Sequence, residues 1–146
     1  NIAGVLRKAI TGKEKKHLLR GEASILFIDD EKDVIDINTF LLEKLGYKVI
    51  GTDNPLKGLE LFRKEPASFD IVITDYVMPD MTGIQLSEEI RKIRPDMLII
   101  LCSGYSENLN IEKVKMTGIK KFLQKPLNIY SLSTSIQDVI KEKAAG

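Results

Sequence analysis

Charged and hydroxyl side chains follow four separate apolar runs of the chain, each at the point where the run ends. Asp29 and Asp30 follow "SILFI", Asp75 follows "DIVIT", Ser103 follows "MLIILC" and Lys125 follows "IKKFLQ". Carboxylates gathered at one place repel one another unless a cation lies between them. If the four runs end at one edge of a fold, their ends therefore predict a cation site.

A hard divalent cation with oxygen ligands would supply the missing charge, and Mg²⁺ suits an open site that also holds phosphoryl oxygens. Lys125 would add a positive charge and Ser103 a hydroxyl donor, both suited to anionic oxygens. Asp75 could then act as the nucleophile and form an aspartyl phosphate, with no catalytic His or Cys required. Taken singly, Asp29 and Asp30 could instead cap a helix, and Asp75 could begin a turn.

The apolar runs alternate with segments of helical periodicity, which predicts five βα units. Runs that are apolar throughout indicate a parallel sheet covered by helices on both faces. We therefore expect an α/β fold with a doubly wound, five-stranded parallel sheet in the order 2-1-3-4-5, as in flavodoxin-like proteins. The predicted strands are 24–28, 48–52, 70–74, 97–102 and 119–124, and the predicted helices are 34–45, 55–64, 84–93, 110–118 and 128–143.

The predicted topology brings the chemistry-bearing residues together. Ligands of such sheets bind beyond the carboxyl ends of the strands, where the strand order reverses, which here lies between strands 1 and 3. Asp29, Asp30, Asp75, Ser103 and Lys125 all follow carboxyl ends of strands.

Composition restricts the class of protein. The net charge is +1, with an excess of basic residues in 1–23, so the chain lacks the global basic character of a nucleic-acid binder. The single cysteine, Cys102, allows no internal disulfide and indicates a reducing compartment. The sequence contains neither a membrane-length apolar run nor a signal peptide, so we expect a cytoplasmic domain without a membrane segment.

The absence of an initiator Met suggests a piece of a longer protein. We expect residues 1–23 to be a helical linker from an upstream domain, and 24–146 to form the folded domain. His17, the single histidine, lies in the basic linker and lacks the sequence context of a phosphodonor.

Four motifs together resemble the receiver domain of two-component response regulators, over about residues 24–143. They are "FIDDE" (27–31), "DIVITDYVMPDMTG" (70–83), "LIILCSGY" (98–105) and "FLQKPL" (122–127). Each motif alone is weak, but their order and spacing are specific. The resemblance implies the flavodoxin-like receiver fold and a phosphoacceptor that catalyses its own phosphorylation.

The resemblance also implies a role for each matching residue. Asp75 would take a phosphoryl group from a phosphohistidine on a histidine kinase or histidine phosphotransfer protein. Asp30, Asp75 and the Val77 backbone carbonyl would bind Mg²⁺, with Asp29 acting through a water. Ser103 and Lys125 would contact the phosphoryl oxygens, and the Lys125–Pro126 bond would be cis.

Three further positions carry implied roles in switching and in the lifetime of the phosphoryl group. The aromatic switch position of strand 5, often Tyr in the family, is Phe122 here, so any reorientation would act through packing. Val77 and Tyr105 match the family positions that flank the attacking water in dephosphorylation. Val77 cannot orient a water and Tyr105 is bulky, so we expect slow loss of the phosphoryl group.

Alternative readings differ in how well the motifs fit them. The parent could be a hybrid sensor histidine kinase, which "ILCSGYSE" and "LQKPL" favour, or a tandem-receiver or linker-preceded regulator. An aspartyl-nucleophile phosphatase of the haloacid dehalogenase type is the enzyme alternative, but Val77 stands where its second Asp is required. No phosphate loop follows strand 1 as an FMN binder needs, and no P-loop motif is present.

Overall fold

The computed structural model describes residues 21–104 and 109–145, which form five strands and five α-helices in alternation. All ten predicted elements are present; three have the predicted bounds and the bounds of the others are shifted by at most two residues. The elements are β1 (Ser24–Ile28), α1 (Lys32–Lys44), β2 (Lys48–Thr52), α2 (Pro55–Lys64), β3 (Ile71–Asp75), α3 (Gly83–Ile93), β4 (Leu98–Ser103), α4 (Ile111–Met116), β5 (Lys121–Gln124) and α5 (Ile129–Ala145). A linker is predicted for residues 1–23, and residues 1–20 of it lie outside the described residues.

The sheet is parallel throughout and has the predicted order β2-β1-β3-β4-β5. β1 and β3 are neighbours although α1, β2 and α2 separate them in the chain, so the strand order reverses between them. Ile28 pairs with Thr74, and Asp75 pairs with Cys102. The register therefore places the ends of β1, β3 and β4 side by side.

Alternate side chains of the strands pack into two separate apolar cores, one on each face of the sheet. On one face Ile25, Phe27 and Ile73 pack with α1 and α5, and on the other Leu26, Val72 and Ile99 pack with α2, α3 and α4. Every residue of β3 and β4 is buried. This burial explains why the sequence of these strands is apolar throughout rather than alternating.

Hydrogen-bonding side chains fix the starts of two helices close to the carboxyl ends of the strands. Asn54 caps α2 by accepting hydrogen bonds from the backbone N–H groups of Leu56 and Lys57, at 2.8 and 3.1 Å. Thr82 and Gln85 form a reciprocal capping box at the start of α3. Each cap satisfies backbone donors that a helix start leaves unpaired, so the preceding loop is held in a single path.

α3 begins in direct contact with the end of β3, at Gly83. The Gly83 N–H donates to the carbonyl of Tyr76 at 2.8 Å. A Cβ atom at this position would collide with the backbone carbonyl oxygen of Asp75 and with the Leu101 side chain. The absence of a side chain at Gly83 is thus what allows α3 to pack against the backbone of Asp75.

We predict that Gly83→Ala lowers the free energy of unfolding by about 1–3 kcal/mol, because the added methyl group forces α3 away from Asp75. Helix propensity alone would raise the free energy of unfolding of this variant, since alanine is a better helix former than glycine. Urea unfolding followed by circular dichroism measures the effect. Glu88→Ala, at an exposed position of the same helix, is the control and should change stability by under about 0.5 kcal/mol.

Candidate functional site

Three carboxylates meet at the carboxyl edge of the sheet, in agreement with the arrangement predicted from the strand ends. Asp29, Asp30 and Asp75 each offer a ligand atom, and these atoms all lie within 4.8 Å of one another. Asp29 and Asp75 are buried, with 1% and 4% of their surface exposed, whereas Asp30 is open to solvent. Two buried acidic groups this close to a third one need a compensating positive charge.

Backbone N–H groups hold one oxygen of each buried carboxylate. Asp29 Oδ1 accepts from the N–H of Glu31 at 2.9 Å, and Asp75 Oδ1 accepts from the N–H of Tyr76 at 2.9 Å. The N-cap position of α1 is Glu31, and its side chain makes no capping bond. Helix capping therefore does not account for the acidic pair that follows β1.

The ammonium group of Lys125 joins the other two carboxylate oxygens. Its Nζ lies 3.0 Å from Asp29 Oδ2 and 3.1 Å from Asp75 Oδ2. Lys125 follows β5, its N–H donates to the Ser103 carbonyl at 2.8 Å, and its bond to Pro126 is cis, as the resemblance implied. The side chain thus crosses the end of β4 to reach β3 and β1.

The electrostatics of this contact favour the charged form of Lys125. Burial alone would lower the pKa of Lys125, but the hydrogen bond and charge attraction of Asp29, followed by those of Asp75, outweigh burial and raise the pKa. Lys125 is therefore protonated at neutral pH and supplies the positive charge that the buried carboxylates require.

Sequence reasoning missed one more carboxylate in contact with Lys125. Glu31 Oε1 lies 3.8 Å from Lys125 Nζ, and the Glu31 side chain is 67% exposed. Glu31 directly follows Asp29 and Asp30 in the sequence, so its nearness to this acidic pair could be predicted. Its contact with a lysine almost a hundred positions away depends on side-chain conformation, which spacing does not reveal.

The remaining residues singled out from the sequence lie around the carboxylates with different exposures. Ser103 ends β4 and is 3% exposed, and Val77 lies in the loop after β3 and is 51% exposed. Phe122 in β5 is partly buried and packs against the core formed with α2, α3 and α4. Tyr105 lies outside the described residues.

Oxygen ligands are what a hard cation such as Mg²⁺ prefers, and the three carboxylates provide them within one cluster. The exposed position of Asp30 leaves one side of the cluster open to water, which Mg²⁺ usually retains in part. The donor set therefore fits Mg²⁺.

Comparison with known proteins identifies the class. The family model described as response regulator receiver domain matches residues 25–137. The sensor kinase CckA of Brucella abortus is 32% identical over 130 residues, which are 89% of this chain and 14% of the kinase. The chain belongs to the response regulator receiver domain family.

Two solved structures are similar to the chain over most of its length. A response regulator receiver domain protein from Clostridium thermocellum has a TM-score of 0.79 and 35% identity, over 84% of this chain and 98% of that one. Response regulator TrrA from Thermotoga maritima, solved in complex with Mg²⁺-BeF, has a TM-score of 0.71 and 27% identity, over 80% of this chain and 97% of that one.

The matches confirm the fold, the family and its place in two-component signalling, and they give no support to the phosphatase alternative. Receiver domains take phosphate from histidine kinases and bind Mg²⁺ at an acidic cluster, which Asp29, Asp30 and Asp75 form here. The chain spans between 14% and 30% of the length of eight curated relatives that it matches. Among the described helices none is both long and apolar enough to cross a membrane.

We predict that Lys125→Met lowers the free energy of unfolding at pH 7 by about 3 kcal/mol, because it leaves two buried carboxylates without a counter-charge. The control is Lys121→Met on β5, the strand that Lys125 follows; its 3.7 Å pair with Asp138 is partly exposed and is worth under about 1 kcal/mol. Urea unfolding measures both variants. Equal effects of the two substitutions would contradict the role of Lys125.

The pH dependence of this contribution follows from the raised pKa of Lys125. A raised pKa means that the folded protein holds the proton more tightly than the unfolded chain. The stabilisation is therefore complete below about pH 10.4, the ordinary lysine pKa, and is lost as the pH rises above it. The stability difference between wild type and Lys125→Met should accordingly stay constant from pH 7 to 9.

Proposed function

We propose that Asp75 is the phosphoacceptor of this receiver domain and takes its phosphoryl group from a phosphohistidine of a histidine kinase or histidine phosphotransfer protein. The observation that carries the proposal is the fixed, buried Asp75 carboxylate at the end of the central strand, held by the Tyr76 N–H and by Lys125. A carboxylate oxygen of Asp75 forms the new bond to phosphorus as the P–N bond to histidine breaks. The bonding pair stays with the imidazole nitrogen, which becomes protonated.

Lys125 would stabilise the phosphoryl group by direct charge contact. Its Nζ already lies 3.1 Å from an oxygen of Asp75, so oxygens of a group on Asp75 come within its reach. A phosphoryl group brings between one and two negative charges to the site. The shared ammonium can move toward these new oxygens, which loosens its bond to Asp29.

Asp30, Asp75 and the Val77 carbonyl are proposed to hold Mg²⁺ directly, with Asp29 acting through a water. The carboxylate oxygens within 4.8 Å of one another support this set, as does the similarity to TrrA, which was solved with Mg²⁺. When bound, Mg²⁺ would neutralise charge on the phosphoryl oxygens. The residues of this chain position the attacking oxygen.

Ser103 and Phe122 are proposed to couple phosphorylation of Asp75 to a conformational change at the surface formed by α4, β5 and α5. Ser103 is buried next to the end of β3, so its hydroxyl can donate to a new phosphoryl oxygen. α4 has six residues and buries only Val114, fewer residues than any other described α-helix buries, so it is the element that we expect to move most easily. Phe122 has no hydroxyl and would follow this movement by repacking.

The larger architecture is also a proposal. We infer that residues 24–146 form the receiver, that 1–23 connect it to an upstream domain, and that the parent is a cytoplasmic hybrid histidine kinase. The similarity to the sensor kinase CckA over 130 residues supports this parent.

The first test is chemical labelling of Asp75. With acetyl phosphate and Mg²⁺, the wild-type chain should gain the mass of one phosphoryl group, and Asp75→Asn should gain none. Asp53→Asn, an exposed carboxylate that follows β2 at the same edge of the sheet, is the matched control and should label fully. Labelling of Asp75→Asn at the wild-type level would refute the assignment.

The metal assignment leads to a prediction for Asp30. Asp30→Ala should weaken Mg²⁺ binding by at least about tenfold, because a ligand oxygen is lost, and should abolish Mg²⁺-dependent labelling. The fold should remain intact, since Asp30 is exposed and its removal relieves repulsion. Titration of amide chemical shifts measures the affinity. Asp80→Ala, exposed in the loop after β3, should bind Mg²⁺ as wild type does.

The lifetime of the phosphoryl group depends on a water placed in line with phosphorus opposite Asp75. Val77 is exposed beside the site and offers no group to orient such a water. Val77→Asn combined with Tyr105→Glu should therefore speed loss of phosphate by about tenfold. Val77→Asn alone should give a smaller increase, and an unchanged rate in the double variant would contradict the explanation.

A further inference from the structure

The outer edge of β2 is open in the part of the chain that the structure describes. β2 is the end strand of the sheet and pairs with β1 alone. The Lys48 N–H donates to the Ala23 carbonyl at 3.1 Å, so Lys48 turns its backbone groups toward β1. Because backbone groups alternate in direction along a strand, those of Val49 and Gly51 point away from the sheet. Such an edge can exchange hydrogen bonds with a further strand.

Helices α1 and α2 flank this edge and form a groove along it. Open cavities of about 530, 450 and 350 Å³ follow β2, and their walls include residues of both helices. Ile50 is 49% exposed although it is the middle residue of the strand, and Gly51 beside it has no side chain to shield the edge. The strand is therefore the floor of the groove, with a large apolar side chain exposed at its centre.

The position of Ile50 makes the open strand suitable for pairing with a second copy of itself. If two strands lie antiparallel about a two-fold axis at Ile50, every residue of β2 pairs with a residue of β2, from Lys48 to Thr52. Val49 of each copy then lies opposite Gly51 of the other, so the outward N–H and C=O groups of both find partners. The two Ile50 side chains face each other across the axis and withdraw their apolar surface from water.

The α2 wall of the groove carries opposite charges toward the two ends of β2. Lys57 lines the cavity next to Thr52, toward the carboxyl end of the strand. Glu65 lines the cavity next to Lys48, toward the amino end. Leu61, one turn from each, lies on the groove between them. A two-fold rotation exchanges the two ends, so Lys57 of each copy approaches Glu65 of the other.

The α1 wall has the same arrangement with the signs reversed. Asp36 and Phe40 line the cavity next to Gly51. The Lys44 ammonium lies 5.1 Å from the centre of the Phe40 ring. Asp36 is one turn before Phe40 and Lys44 is one turn after it, so the rotation that pairs the strands carries Asp36 of each copy toward Lys44 of the other.

The remaining charges of the groove are compatible with this pairing. Lys48 begins β2 and Asp53 follows it, so antiparallel strands place Lys48 of one copy near Asp53 of the other. Lys32 and Glu43 on the α1 wall are left outside these pairs and carry opposite charges. The groove thus has as many basic as acidic residues, and two copies bring no net charge together. These residues are Lys32, Asp36, Glu43, Lys44, Lys48, Asp53, Lys57 and Glu65.

We propose that two copies of this domain associate through β2, antiparallel about a two-fold axis at Ile50, and so join their sheets into one of ten strands. The interface lies at the end strand, whereas Asp75 ends β3 on the other side of β1. The carboxylate edge therefore stays open in both copies. This association goes beyond phosphoryl transfer and does not depend on which residue is the phosphoacceptor.

Cross-linking gives the first test, because a residue on the two-fold axis meets its own copy. Ile50→Cys should form a disulfide-linked dimer under mild oxidation at least about tenfold faster than Ile111→Cys, since directly opposite Cβ atoms lie about 5 Å apart, close to disulfide distance. Ile111 is the matched control, because it is 50% exposed and lies on α4, away from β2. Cys102 is buried, and burial raises the pKa of its thiol, so it does not interfere. Equal rates for the two variants would overturn the proposal.

Association of the full chain gives the second test. Sedimentation equilibrium should show a monomer–dimer equilibrium for the wild type. Ile50→Lys should raise the dissociation constant at least about tenfold, because like charges directly opposite each other repel. Ile111→Lys is the control and should leave the dissociation constant unchanged. A wild-type chain that stays monomeric up to about 1 mM, or an equal effect of the two substitutions, would overturn the proposal.

Charge exchange tests the two-fold geometry itself. Lys57→Glu and Glu65→Lys should each raise the dissociation constant about threefold or more, because each places like charges across the axis. The two substitutions in one chain restore opposite charges and should return the dissociation constant to the wild-type value. A double variant that associates no better than the single variants would overturn the proposal. Labelling at Asp75, measured in parallel, keeps this outcome separate from that of the phosphoacceptor assignment.

Discussion

The site depends on one interaction, the contact of the Lys125 ammonium with Asp29 and Asp75. A buried carboxylate is costly without a partner, and here two of them lie at neighbouring strand ends. The parallel sheet brings the two carboxylates together, because it aligns the carboxyl ends of β1 and β3. It also brings their counter-charge, because β5, which Lys125 follows, ends at the same edge. Removing one partner of such a buried ion pair is costly, because it leaves a buried charge uncompensated. The effect of this contact is to hold Asp75 in a single orientation.

The same contact indicates that phosphorylation of Asp75 would require a second positive charge besides Lys125. One ammonium group already serves Asp29 and Asp75 and lies near Glu31, so it is fully engaged before any reaction. A phosphoryl group on Asp75 would add further negative charge at a place where the positive charge is already shared. A divalent cation held by the carboxylate cluster would supply further positive charge, and Lys125 would then be available to the new oxygens. The exposed Asp30 offers the cation an entry from solvent that the buried carboxylates lack.

The sequence predicted the fold and the meeting of the three carboxylates at one edge of the sheet, for physical reasons that differ between elements. Strands such as Ile71–Asp75 are buried on both faces, so their apolar runs were unmistakable, and the parallel order then brought Asp29, Asp75, Ser103 and Lys125 to one edge. Contacts that depend on close backbone approach could not be predicted in the same way. The packing of Gly83 on Asp75, and that of Gly21 between Tyr47 and Gln137, leave no pattern in hydrophobic spacing, because a glycine reveals only that a side chain is missing. The contact of Glu31 with Lys125 is equally hidden, since it is set by side-chain conformation.

The two ends of the sheet are therefore suited to different tasks. At the carboxyl ends, loops and helix starts carry polar groups whose contacts can be exchanged, and Lys125 has three carboxylates within 4 Å. At the amino ends, Asp70 is bonded to the backbone of Ser24, and Arg94 bonds the carbonyls of Pro66 and Phe69, so charged side chains there serve to fix the chain. The described part of the chain begins at Gly21, whose N–H bonds the Leu45 carbonyl, so this segment lies away from Asp75 and leaves the carboxyl edge open.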